Sequence, residues 1–140
     1  MSGRALAVSF VLAAGCVGQA SAQSCPAGTT QVMNLQQLVG GNTLCAARGS
    51  DRWQEFHSGS ASGALIDWKL GAAHPIDPTE TVGSWSASNG ANSLLTHTYG
   101  QTSYAWRVCQ AAPGSYTLVS TNGGGMITGA TVRSGQVACP

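Results

Sequence analysis

Histidine is the side chain whose unperturbed charge changes near neutral pH, and this chain carries three, His57, His74 and His97. Acid–base or metal chemistry would have to run through them, yet none sits in a local motif. Glu55 lies two residues before His57, an acid beside an imidazole of the kind a small hydrolase uses. On a strand, the same spacing reads more simply as a solvated surface pair. A metal site on His57 and His97 requires two distant strands to meet across the molecule. No G-x-S-x-G elbow occurs, and Gly83-Ser84-Trp85-Ser86 falls in a strand pattern with no following helix to complete an oxyanion hole. Glu55 and Asp67 fall on consecutive strand patterns, but paired carboxylates arise cheaply by chance when a domain has so few acids. Gly123-Gly124-Gly125 lacks the Lys-Ser/Thr of a phosphate loop and reads as a turn. The motifs thus nominate no catalytic residue, no metal ligand and no cofactor.

Aromatic residues point elsewhere. Trp53, Trp68, Trp85, Trp106, Tyr99, Tyr104 and Tyr116 are dense for so short a chain and fall mostly within strand patterns. Trp68, Trp85, Tyr104 and Trp106 are the candidate walls of a pocket for a small apolar or planar ligand. His57 or Arg107 would orient that ligand by hydrogen bonds.

The first 22 residues frame the context. Arg4, the apolar run Ala5 to Val17 and the small residues Ala20-Ser21-Ala22 match a secretory signal, placing the mature chain from Gln23 onward in an oxidising compartment, periplasmic or extracellular. Gly15-Cys16 offers a minor lipoprotein alternative. The four remaining cysteines, Cys25, Cys45, Cys109 and Cys139, read as two disulfides, with all three pairings open. Beyond the leader, five basic residues balance five acidic ones, so no basic stripe suits a nucleic acid and no second apolar run reaches membrane-spanning length. A protein or glycan partner stays open.

Positioning these residues falls to a chain punctuated by turn chemistry every 8–14 residues or so, the spacing of an all-β sandwich or barrel. Eight alternating runs lie between the turns: 43–47, 52–57, 64–69, 81–87, 94–99, 103–109, 116–120 and 126–133. Short connections make neighbours antiparallel, and eight strands in succession close into an up-and-down barrel without edges. We expect a leader over 1–22, a lead over 23–37 and one barrel domain over 38–140. Parity puts Ala64, Ile66 and Trp68 on one face of the third strand, and Tyr104, Trp106 and Val108 on one face of the sixth, both turned inward. Val82 and Trp85 fall on opposite faces of the fourth. In the second, an inward Trp53 carries Glu55 and His57 inside, whereas an inward Phe56 leaves Trp53 exposed. The proline-bearing connection 71–80 reads as a stiff crossover or a lid over one barrel mouth.

The segments LVGGNTLCA (38–46), WQEFH (53–57), GALIDWK (63–69), VGSWS (82–86) and SYAWRVC (103–109) resemble uncharacterised small exported bacterial proteins and the calycin-type, lipocalin-like barrels. That resemblance implies a closed meander and favours binding over catalysis. Lipocalins carry their Gly-x-Trp on the first strand, whereas Gly83-Ser84-Trp85 lies mid-chain, so no family binding residue transfers. The sequence reading is therefore a disulfide-stapled, nearly closed barrel that binds a ligand non-catalytically. Its alternatives are a β-sandwich-like surface interaction or adhesion module and a small hydrolase built on His57 and Glu55.

Overall fold

A computed structural model describes residues 23–67 and 79–140. The leader with Cys16 and the segment 68–78, which holds Trp68, His74, Pro75 and Pro78, lie outside the described residues. Strand β1 (Thr30–Gln31) and helix α1 (Leu35–Val39) precede eight strands: β2 (Asn42–Arg48), β3 (Asp51–His57), β4 (Ser62–Asp67), β5 (Glu80–Ala87), β6 (Leu95–Tyr99), β7 (Thr102–Ala112), β8 (Ser115–Ser120) and β9 (Met126–Ser134). Each pairs antiparallel with the next, and β9 returns to β2, closing an eight-stranded barrel. These are the eight strands expected from turn spacing, with bounds that agree within three residues.

Three register shifts interrupt the sheet, one of them between Gln110 and Ala112 on β7, and the other two shape the wall. Leu65 pairs with Gly83 and Ile66 with Thr81, so Val82 is an extra residue on β5. That bulge resolves the parity conflict: Val82 faces the interior cavity and Trp85, three residues on, is still buried in the core. Gly83 lets β5 approach β6 closely, because a Cβ there would sit 2.1 Å from the Thr98 carbonyl oxygen. On β9, Gly129 takes φ +70° within the register shift opposite Tyr116 and Leu118.

The β4 expectation is corrected. Leu65 is fully buried and Asp67 lines the interior, while Ala64 and Ile66 are only half-buried. Hydrophobicity ranked Ile66 as the inward residue, but the register fixes the face: His57 pairs with Leu65 and Glu55 with Asp67.

One end of the barrel is packed solid. Helix α1 sits there, tied by the Asn89 side chain, which accepts from the Gln36 backbone N–H at 2.9 Å, and by Gln36 Nε2 donating to the Ala87 carbonyl at 2.8 Å. It drives Leu35 and Val39 into a cluster with Leu65, Trp85, Leu95 and Val108. The N-terminal lead is part of the wall. Beyond Trp106, where β6 ends, β1 takes over the free edge of β7, pairing Gln31 with Cys109. Both disulfides clamp outer-face segments: Cys25–Cys109 holds the lead on β7, and Cys45–Cys139 holds the C-terminal tail on β2. Thr43, fully buried under that tail, donates to the Gly135 carbonyl and accepts from the Val137 N–H.

Candidate functional site

Among the described residues, the opposite end is hollow. A cavity of about 1000 Å³ opens between the β2–β3, β6–β7 and β8–β9 turns, whose Arg48, Arg52, Thr102 and Asn122 form its rim. Its walls are the inward residues of the strands, Leu44 and Ala46 on β2, Trp53 and Glu55 on β3, Val82 on β5, His97 and Tyr99 on β6, Tyr104 and Trp106 on β7, and Leu118 on β8. At the rim, the Arg48 guanidinium stacks on Trp53 at 5.9 Å and donates to the Gly124 carbonyl at 3.3 Å, bridging two hairpin tips.

Where the hollow half meets the packed half, a row of polar side chains crosses the interior. Tyr99 Oη donates to Glu55 Oε1 at 2.5 Å. Glu55 Oε2 faces His97 Nδ1 at 3.5 Å, and His97 Nε2 meets His57 Nε2 at 2.9 Å. The Trp85 ring stands edge-on to His57, its Nε1 donating to the Ser58 carbonyl at 2.9 Å. Glu55 and His57 are thus no solvated surface pair. They are 4 % and 0 % exposed, because the register of β3 that turns Trp53 inward takes both with it.

Burial governs the charges. Desolvation raises Glu55 from its ordinary 4.5 to about 7, with the Tyr99 hydrogen bond opposing and the charge of Asp67 adding to the rise. Desolvation lowers His97 to about 3, helped by His57. It also lowers His57 to about 4, against smaller contributions from the backbone of Asn42 and Glu55. Tyr99 is raised, first by burial and then by the Glu55 charge. Both imidazoles are therefore neutral at pH 7, and the row orders its protons in two ways. With Glu55 ionised, His97 Nδ1–H points at the carboxylate and His57 donates to His97. With Glu55 protonated, the acid proton points at His97 Nδ1 and His97 donates to His57. Among the described residues, no side chain hydrogen-bonds His57 Nδ1.

Among the residues singled out from sequence, Tyr104 and Trp106 line the cavity. Trp85 and His57 lie beneath it, in the packed half and in the polar row. Trp68 lies outside the described residues. Arg107 is corrected: it points outward, under the lead, where Nε donates to the Gln23 carbonyl at 2.9 Å and Nη1 to Gln31 Oε1 at 2.6 Å. Parity had already set Arg107 opposite Trp106, so an orienting role inside the barrel was inconsistent with the strand. The sequence reading pairs His97 with His57 only as a metal site and counts Tyr99 and Trp53 only among the aromatics, so none of the three stands among its ligand-binding candidates, although His97 and Tyr99 share the buried face of Leu95.

As chemistry, the row resembles neither a metal centre nor a nucleophilic triad. The two Nε2 atoms touch at hydrogen-bond distance, and no group of three metal-binding side chains exists among the described residues. No Ser, Thr or Cys among them hydrogen-bonds either imidazole. What remains is an aromatic cup with a titratable carboxyl group at its base. Scans against protein-family models, curated proteins and solved structures found no match for this chain.

Proposed function

We propose that this is an exported, non-catalytic binding protein that holds a small planar or apolar ligand in the hollow half of its barrel. The observation that carries the reading is the cavity itself: about 1000 Å³, opening at one end and walled by Trp53, Tyr99, Tyr104 and Trp106. Ligand sites in small barrels are concave and largely apolar, with a few convergent polar groups, which describes this cup and its Glu55 base. Small side-chain-filled barrels have no such space, and a solid interior would have favoured a surface interaction module instead. Export is supported by the leader pattern and by two disulfides, which persist in oxidising compartments. No helix among the described residues is long and apolar enough to cross a membrane.

Titrating the oxidised protein with N-phenyl-1-naphthylamine, a neutral planar fluorophore, tests the reading. Saturable emission at micromolar concentration is expected. It should be weakened in Ala46→Trp, which narrows the cavity, and in Trp106→Ala, which removes a wall, with circular dichroism unchanged in both. A folded wild-type protein that gives no saturable signal would overturn it.

A further inference from the structure

Glu55 is a buried acid whose hydrogen-bonding capacity is only partly used. A carboxylate offers about four acceptor positions. Tyr99 takes one, and His97, at 3.5 Å, lies beyond hydrogen-bonding distance. The side chain lines the cavity, so its remaining capacity is open to whatever enters.

The charged and titratable groups around it come from five strands and do not neutralise it. Asp67 of β4 stands opposite in register and adds negative charge. His57 of β3 and His97 of β6 are held neutral. Tyr99 of β6 and Tyr104 of β7 are phenols. Arg48 of β2 and Arg52 of β3 stand at the rim, Arg48 already engaged with Trp53 and Gly124. Among the described residues, no Lys or Arg forms an ion pair with Glu55.

We propose that the occupant of the cavity is a small aromatic base, its cationic nitrogen on the Glu55 carboxylate and its ring against Trp53, Tyr99, Tyr104 and Trp106. This rests on the reading of the cavity as a ligand site and narrows it to one chemical class. A cation gains twice here, from the carboxylate and from the negative faces of the surrounding rings. An anion at the same depth meets the Glu55 carboxylate as a like charge. A plain hydrocarbon leaves the carboxyl group buried against apolar surface with its acceptors unfilled.

Three near-isosteric ligands separate these cases: 2-naphthamidine, a cation throughout pH 6–8, neutral 2-naphthamide, and anionic 2-naphthoate. Isothermal titration calorimetry should rank the amidine tightest. Because a proton competes for Glu55, which titrates near pH 7, amidine affinity should rise about tenfold from pH 6 to pH 8. The histidines stay neutral across that range and add nothing. Naphthamide affinity should not rise, and Glu55→Gln should erase the amidine preference together with its pH dependence. The pH profile of the wild-type protein tests the proposal even if the variant fails to fold. Binding of the amide or of N-phenyl-1-naphthylamine with no preference for the amidine overturns the ligand class alone. Amidine affinity that falls as pH rises does the same, since it would make Glu55 a proton donor to its ligand. No binding by any of the four compounds overturns the cavity reading and this proposal together.

Discussion

Replacing Glu55 with Gln should stabilise the protein in alkaline solution and leave its stability near pH 4 almost unchanged. The acid titrates near 7 in the fold against an ordinary 4.5, and burial is the main cause. A raised carboxyl pKa means that the folded state holds a proton the unfolded chain has lost. The stability tied to it is fully present below pH 4.5 and drains away as the pH climbs to about 7. At ~1.4 kcal/mol for each pH unit of displacement, the full loss is about 3 kcal/mol. The residue is only 4 % exposed, so little of this is screened by solvent. Gln keeps the shape, accepts from Tyr99 through Oε1 and turns its Nε2 toward His97, but never ionises. Urea denaturation followed by tryptophan fluorescence at pH 4, 5, 6, 7 and 8, with disulfides intact, measures the difference. The advantage of the variant over wild type should grow between pH 5 and 7 and level off near 3 kcal/mol. A gap that is constant with pH, or that shrinks as pH rises, would refute the claim that Glu55 is a desolvated acid.

The histidines give the opposite limb. Both are depressed below 6.5, so their stabilisation is present above that value and lost as the pH falls toward about 4 for His57 and about 3 for His97; His97→Phe should flatten this acid limb in the same urea series. Gly83→Ala forces a Cβ to within 2.1 Å of the Thr98 carbonyl oxygen, and should cost about 1–3 kcal/mol by prising β5 from β6, read as a lower urea midpoint. Removing the Cys45–Cys139 disulfide by replacing both cysteines with Ser should cost about 2–5 kcal/mol, because it spans 94 residues. Hydrogen exchange should also show the tail released from Thr43, and unchanged protection there would mean that its hydrogen bonds alone suffice.

The strands were legible because each is short, alternates, and is cut from its neighbours by turn residues. Which face of a strand turned inward was legible only where one face was clearly richer in apolar side chains. Tyr104, Trp106 and Val108 on β7 met that condition. On β4, Leu65 and Ile66 are nearly equal in hydrophobicity, and only the pairing of Leu65 with His57 decides between them. Strand β1 escaped notice because two residues in a polar lead carry no periodicity; it exists because β6 stops short and leaves the edge of β7 uncovered. Strand β3 showed its conflict openly, an aromatic, an acid and an imidazole on one face. The resolution lay 40 residues away on β6, where His97 supplies the partner for His57. No spacing rule reaches that far, since the contact depends on how the closed barrel brings β3 and β6 together across its interior.

The cost of that buried row bears on what it is for. A carboxyl group raised by burial and two imidazoles lowered by it each make the folded state less stable, at some pH, than an apolar interior would be. A row kept only to fix the register of β3 against β6 would be expected to satisfy its own polar atoms, as buried networks in native proteins do. Here Glu55 keeps acceptor capacity on the cavity side. The row also stands at the boundary between the solid and the hollow half, the depth at which an entering ligand would stop. Side chains that cost stability, are incompletely satisfied and line a cavity are characteristic of a binding site, where the missing partner arrives with the ligand. Under the proposed binding role, the unfilled side of Glu55 would carry specificity, while the aromatic walls would supply most of the buried apolar contact.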